Sequence, residues 1–161
     1  MIFIKNKKEV KYIKKLNKDV IKKQISSNIK ALSFNELNNP TEILNFINNC
    51  KNRCSFKYYK ENIKDIILNQ KYLAYIYYEN DNPLGYIIAY IHKKENMKIL
   101  EIENIGVLTP NEKRLFELEF MKIIMLKAWN KKNIDKVIIT FKSQEKQMKK
   151  IMNDLNFNKN K

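Results

Sequence analysis

The sequence predicts an α+β fold: a mixed sheet with an antiparallel meander and one parallel strand, flanked by helices on both faces. Three observations predict it. Three aromatic and aliphatic runs between Tyr72 and Leu108 are separated by short turn signals. A helical stretch of about 20 residues then precedes a further apolar run, long enough for a crossover to a parallel strand. The run Leu84–Ile91 is apolar almost throughout, as in a strand covered on both faces. With 161 residues, 44% hydrophobic and 30% charged, the chain suits a single domain over 1–161 with a real core.

Taken in order, Ile2, Phe3 and Ile4 read as a short first strand. Apolar residues then recur at Val10, Ile13, Leu16, Val20, Ile21, Ile25, Ile29 and Leu32. Steps of three and four with lysines between predict an amphipathic helix, broken near Ser26–Asn28, that faces either the core or an acidic membrane surface. Asn39-Pro40-Thr41-Glu42 starts a second helix, with an N-cap, a proline at the first helical position and a Glu three residues after the cap. That helix runs to about Asn52 and buries Ile43, Leu44, Phe46 and Ile47. A short third helix carries Ile63, Ile66 and Ile67.

The meander follows. Tyr72–Tyr78, Leu84–Ile91 and Lys98–Leu108 are the strands, with turns at Glu79–Pro83 and Lys93–Asn96. The third strand changes phase. Leu100 and Ile102 share one face with Glu101 and Glu103 opposite, yet beyond Asn104 the apolar positions are Ile105 and Val107. Strict alternation cannot satisfy both sets, so a β-bulge near Asn104 is predicted. Thr109-Pro110-Asn111-Glu112 has the form of a capping box opening a buried helix that reaches about Lys132. Val137–Phe141 is a buried strand, and a last helix from Gln144 presents Met148, Ile151, Met152 and Leu155.

Composition excludes several functions. No apolar run approaches the roughly 18 residues of a membrane span. The N-terminus becomes charged too early for a secretory signal. Only Gly85 and Gly106 are present, too few for a glycine-rich phosphate loop. Cys50 and Cys54, spaced for one helix face, read as free thiols of a reducing compartment, with a local disulfide or a metal as alternatives. His92, at a strand end, reads as structural or solvated rather than catalytic. A cytoplasmic location is expected.

Net charge is +15, from 30 Lys and only 2 Arg against 17 acids. With 23 Asn and 24 Ile, residues that share A/T-rich codons, much of this charge reads as compositional. A polyanion-facing surface, nucleic acid included, is the alternative, and residues 1–60, with 14 basic and 4 acidic residues, would carry it.

The order of elements resembles the GNAT superfamily of N-acetyltransferases over nearly the whole chain. The resemblance is clearest in Pro83-Leu84-Gly85-Tyr86-Ile87, in the bulged strand ending Ile105-Gly106-Val107, and in Asn153-Asp154-Leu155-Asn156-Phe157 near the end. It implies that acetyl-CoA enters where the bulged strand parts from its neighbour, with the backbone of Ile105, Gly106 and Val107 binding the pantetheine arm. It implies that the pyrophosphate lies at the start of the next helix, near Lys113 and Arg114, and that Glu103, or less favourably Glu101, is the general base.

The sequence also departs from the family. No glycine falls between Asn111 and Leu118, and Glu112 puts a carboxylate where phosphate is expected. Met152 replaces the usual acidic Tyr, for which Tyr75, Tyr77, Tyr86 and Tyr90 are candidate substitutes. On this assignment no residues remain for the closing pair of strands, so the edge of 137–141 is expected to be open and to pair with a second copy. The expected function is acetyl-CoA-dependent N-acetylation of a primary amine on a small molecule or a protein. The alternatives are a GNAT-fold binding module that has lost the cofactor and a basic nucleic-acid-binding protein.

Overall fold

The computed structural model describes residues 9–16, 28–54 and 56–160. The strands are β1 (Glu9–Lys15), β2 (Ile29–Ser33), β3 (Lys51–Asn52), β4 (Tyr72–Glu79), β5 (Asn82–Lys94), β6 (Met97–Val107), β7 (Lys136–Lys142) and β8 (Asn158–Asn160). The helices are α1 (Phe34–Leu37), α2 (Pro40–Asn49), α3 (Lys60–Leu68), α4 (Phe116–Lys132) and α5 (Lys146–Asp154). All eight strands of the described residues join one sheet in the order β2-β4-β5-β6-β7-β1-β8, with β3 paired to β6 off that path.

The meander β4-β5-β6 is antiparallel, and β7 lies parallel to β6. Its two turns are made without glycine: Asn80, Asp81, Glu95 and Asn96 all take positive φ, the twist that two-residue hairpins require. One apolar cluster lies between the sheet and α4 and α5, around Phe120, Ile124, Ile139 and Met152. A second lies on the other face, where Ile43, Ile47, Ile63 and Ile66 meet Ala74, Ile76 and Ile88. Both faces of the meander are covered, as its continuous apolar character predicts.

Four expectations are corrected. The helix predicted over Val10–Leu32 is not formed at either described end: residues 9–15 and 29–33 are strands. Val10 and Tyr12 are buried on one face, so alternation wins once a neighbouring strand supplies the hydrogen bonds. The edge of β7 is not open. β1 pairs with it along seven residues, from Glu9 opposite Lys142 to Lys15 opposite Lys136, and β8 adds to β1. The closing strand pair therefore comes from opposite ends of the described chain, and the expected basis for pairing with a second copy through β7 is gone.

The third correction concerns α4, which starts at Phe116 with no side-chain cap; Thr109-Pro110-Asn111-Glu112 precedes it as irregular backbone. Asn111 turns this loop instead, its Oδ1 accepting from the amides of Lys113 and Arg114. The cap at α2 is as predicted, with Asn39 Oδ1 accepting from the Glu42 amide at 3.1 Å. That helix stops at Asn49, so Cys50 and Cys54 do not share a helix face. Ile2–Ile4 and the predicted break at 26–27 lie outside the described residues.

Candidate functional site

The predicted bulge is present and defines the site. Ile88 lies opposite Asn104, but the next residue, Ala89, lies opposite Ile102, which leaves Glu103 as the extra residue of β6. β7 accompanies β6 only along Ile99–Ile102. Beyond the bulge the two parallel strands part, leaving a groove whose wall is the free edge of Ile105–Val107.

The chain fills that groove itself. After α2 it runs along the freed edge as β3, with Asn52 opposite Gly106 and Lys51 opposite Val107, antiparallel to β6. The Arg53 amide extends the pairing, donating to the Ile105 carbonyl at 2.8 Å. Gly106 has a strand neighbour on each side, Asn52 of β3 and Tyr86 of β5.

Side chains lock the strap in place. Arg53 is 4% exposed. Its Nε donates to Glu117 at 2.7 Å, one Nη to Glu145 at 3.1 Å and the other to Gln147 at 2.7 Å. One guanidinium thus ties the strap to the first turn of α4 and to the start of α5. The planar fork of Arg suits three acceptors in fixed directions, where a Lys could not hold all three. The Tyr86 hydroxyl donates to Asn52 Oδ1. Gly106 makes this contact possible: a Cβ there would come within 2.5 Å of the Tyr86 ring.

Glu103 is half-buried on the face that carries α2 and α3. Burial raises its carboxyl above its ordinary value and the neighbouring Glu101 adds to this, while a hydrogen bond with Tyr72 opposes it. Tyr72 stacks obliquely on Tyr90 at 5.0 Å between centroids, and His92 Nε2 lies 3.0 Å from Glu101. His92 is therefore a hydrogen-bond partner of Glu101 on the sheet surface. Two buried polar atoms nearby, the Tyr58 hydroxyl and Asn104 Oδ1, have no hydrogen-bond partner among the described residues. Asn104 Nδ2 holds the Phe56 carbonyl at 3.1 Å. Burial is the main reason the Tyr58 hydroxyl resists ionisation, and Glu103 adds to it.

Lys113 and Arg114 lie in the loop before α4, not in its first turn. Lys113 is exposed. Arg114 is occupied: both of its Nη atoms bind Glu79, and Glu119 takes its Nε at 3.3 Å. The first turn of α4 presents buried Glu117, paired with Arg53. Met152 packs in the core. Among the described residues, no group of three or more His, Cys, Asp or Glu could hold a metal. No described helix is long and apolar enough to cross a membrane.

Sequence reasoning missed Arg53, Asn52, Glu117, Glu145 and Gln147. One signal was available. In a chain that uses Lys for 30 of its 32 cations, an Arg marks a place where fork geometry matters. Both arginines here hold more than one acceptor.

No protein-family model matches the chain, and no curated protein matches it in sequence. Solved structures do. A possible acetyltransferase from Clostridium difficile 630 superposes with TM-score 0.61 and 16% identity, covering 81% of this chain and 90% of that one. An aminoglycoside acetyltransferase from an uncultured soil metagenomic sample, in complex with trehalose, gives 0.59 and 11%, covering 81% and 89%. An Arabidopsis thaliana protein in complex with the bisubstrate analogue CoA-Ac-MVNAL gives 0.56 and 18%, covering 82% and 84%. The fold is GNAT-like, at low sequence identity.

Proposed function

We propose that this GNAT-like chain is a binding module whose acetyl-CoA groove has been taken over by its own backbone. The observation that carries the reading is the pairing of Lys51 and Asn52 with Val107 and Gly106. Those are the backbone groups that the family resemblance assigns to the pantetheine arm. A tethered strap competes at an effective concentration in the millimolar range, which a free cofactor must overcome. The helix start expected to receive pyrophosphate holds the Glu117 carboxylate, which repels phosphate and is held by Arg53. Displacing the strap breaks three side-chain hydrogen bonds of a buried guanidinium, each worth about 1.5–3 kcal/mol.

Calorimetric titration with acetyl-CoA at low and high salt tests this. No saturable binding below the millimolar range is expected at either salt. Micromolar binding that persists at high salt would overturn the reading.

One observation favours a second reading, acetyl-CoA-dependent N-acetylation of a primary amine. Glu103 sits at the bulge with its carboxyl raised towards the range useful to a general base. In that reading Glu103 would take a proton from the substrate ammonium and so free the amine that attacks, the edge of Ile105–Val107 would be freed by departure of the strap, and Lys113 would contact phosphate. The Arg114 side chain would first have to leave Glu79. Glu103→Gln would then lower kcat with little change in cofactor affinity, because a base acts on the barrier.

A further inference from the structure

On the β4 side of the sheet, a cavity of about 260 Å³ lies between the start of β4, the end of β2 and the last turns of α4. The strap pairs with Gly106 and Val107 of β6, whereas this cavity reaches Tyr72 and Tyr75 of β4, with β5 between the two strands. Three lysines of α4 line it: Lys127, Lys131 and Lys132. Among the described lining residues Glu36 is the one acid, accepting from the Ser33 hydroxyl at 3.2 Å, so three ammonium groups face one carboxylate.

Lys131 and Lys132 occupy the last turn of α4, where cations suit the helix dipole. Lys127 lies before that turn. It is half-buried, with its ammonium 5.1 Å from the centroid of the Tyr75 ring. Burial and Lys131 both lower its pKa, with Glu36 opposing. A partly desolvated ammonium beside a second one is an unbalanced charge that an anion would neutralise.

A second cavity, about 400 Å³ and mainly apolar, adjoins the first between β2 and α4. Ile29, Ala31, Ile123 and Leu126 form its apolar lining, and Lys127 and Lys131 belong to both cavities. A ligand with a charged end in one and a hydrocarbon body in the other would satisfy both.

We propose that this double cavity binds an anionic amphiphile, a carboxylate or phosphate head held by Lys127, Lys131 and Lys132 with a short apolar chain against Leu126 and Ile123. The site is separate from the strap-filled groove and does not depend on how that groove is read.

Amide NMR titrations of the full chain with acetate, octanoate and octyl phosphate, at constant ionic strength and below micelle formation, test it. Each buried methylene is worth about 0.8 kcal/mol, roughly fourfold in affinity, so octanoate should bind at least about tenfold more tightly than acetate. Octyl phosphate should bind more tightly than octanoate, and shifts should centre on residues 29–36, 72–75 and 123–132. Lys127→Gln should weaken octanoate at least about fivefold, as expected on losing a charge-assisted contact, whereas Lys150→Gln, an exposed site on α5, should not. Leu126→Gln should reduce the dependence on chain length and leave acetate unchanged. Thermal melts of each variant verify folding. Equal affinity for acetate and octanoate, or equal losses in folded Lys127→Gln and Lys150→Gln, would overturn the proposal.

Discussion

Arg53 and Glu117 meet at 2.7 Å, with side chains 3% and 2% exposed, although 64 residues separate them in sequence. This ion pair joins the strap to the helix that would otherwise offer its free N-terminus to an anion. Breaking a buried pair by removing one partner leaves an uncompensated charge, a cost of about 3–5 kcal/mol. Arg53→Ala is expected to lower stability by that amount in urea unfolding. Hydrogen exchange should also speed up at Ile105 and Val107 well before global unfolding. Arg53→Lys should recover part of the loss, since one ammonium can serve Glu117 but not all three acceptors. Unchanged exchange in Arg53→Ala would mean that the guanidinium does not hold the strap.

Gly106→Ala should act through Tyr86. The added methyl would meet the ring and force it away from Asn52. Overpacking of this kind costs about 1–3 kcal/mol. Tyr86→Phe, which removes the hydroxyl and keeps the ring, should cost nearer 1 kcal/mol. A Gly106→Ala variant no less stable than the parent would show that the strand can shift to accommodate the methyl.

Glu103 makes stability depend on pH in a defined direction. Its folded carboxyl is raised above the unfolded value, so the folded state holds the proton more tightly. The contribution is fully present below the unfolded carboxylate pKa and is lost as pH rises through the folded one. Glu103→Gln resembles the protonated form. It should therefore be more stable than the parent at neutral pH, with the advantage shrinking as pH falls into the ordinary carboxylate range. Parallel stability–pH curves for the two proteins would remove Glu103 as the source.

The two thiols report strap opening. Burial pushes both Cys50 and Cys54 up to about 12, so little thiolate exists near neutrality. Alkylation at about pH 8 should be slow in the parent and reach its free-thiol rate only after unfolding. In Arg53→Ala, Cys54, the next residue along the chain, should react faster than Cys50. Rapid modification of both in the parent would mean that this segment opens readily.

The sequence by itself determined the meander, its two turns, the bulge at Glu103–Asn104, the long helix and the parallel strand after it. Each is written in local patterns: alternation, turn residues, a change of phase, an apolar run of helical length. Those signals act over a few residues and need no distant partner. Residues 9–15 were legible only as apolar positions. Over so short a span, Val10, Tyr12, Ile13 and Leu16 fit a helix or a strand, and the free edge of β7 decides between them.

Tertiary structure alone decided the state of the groove. A strand of two residues has no periodicity to read, and Arg53 finds Glu117 and Glu145 only after three separate elements have packed. The same holds for Lys127 and Tyr75, whose meeting depends on α4 crossing the start of β4. Local spacing can say where a strand parts from its neighbour. What fills the gap depends on contacts between residues far apart in the chain, because their energy appears only when the chain closes.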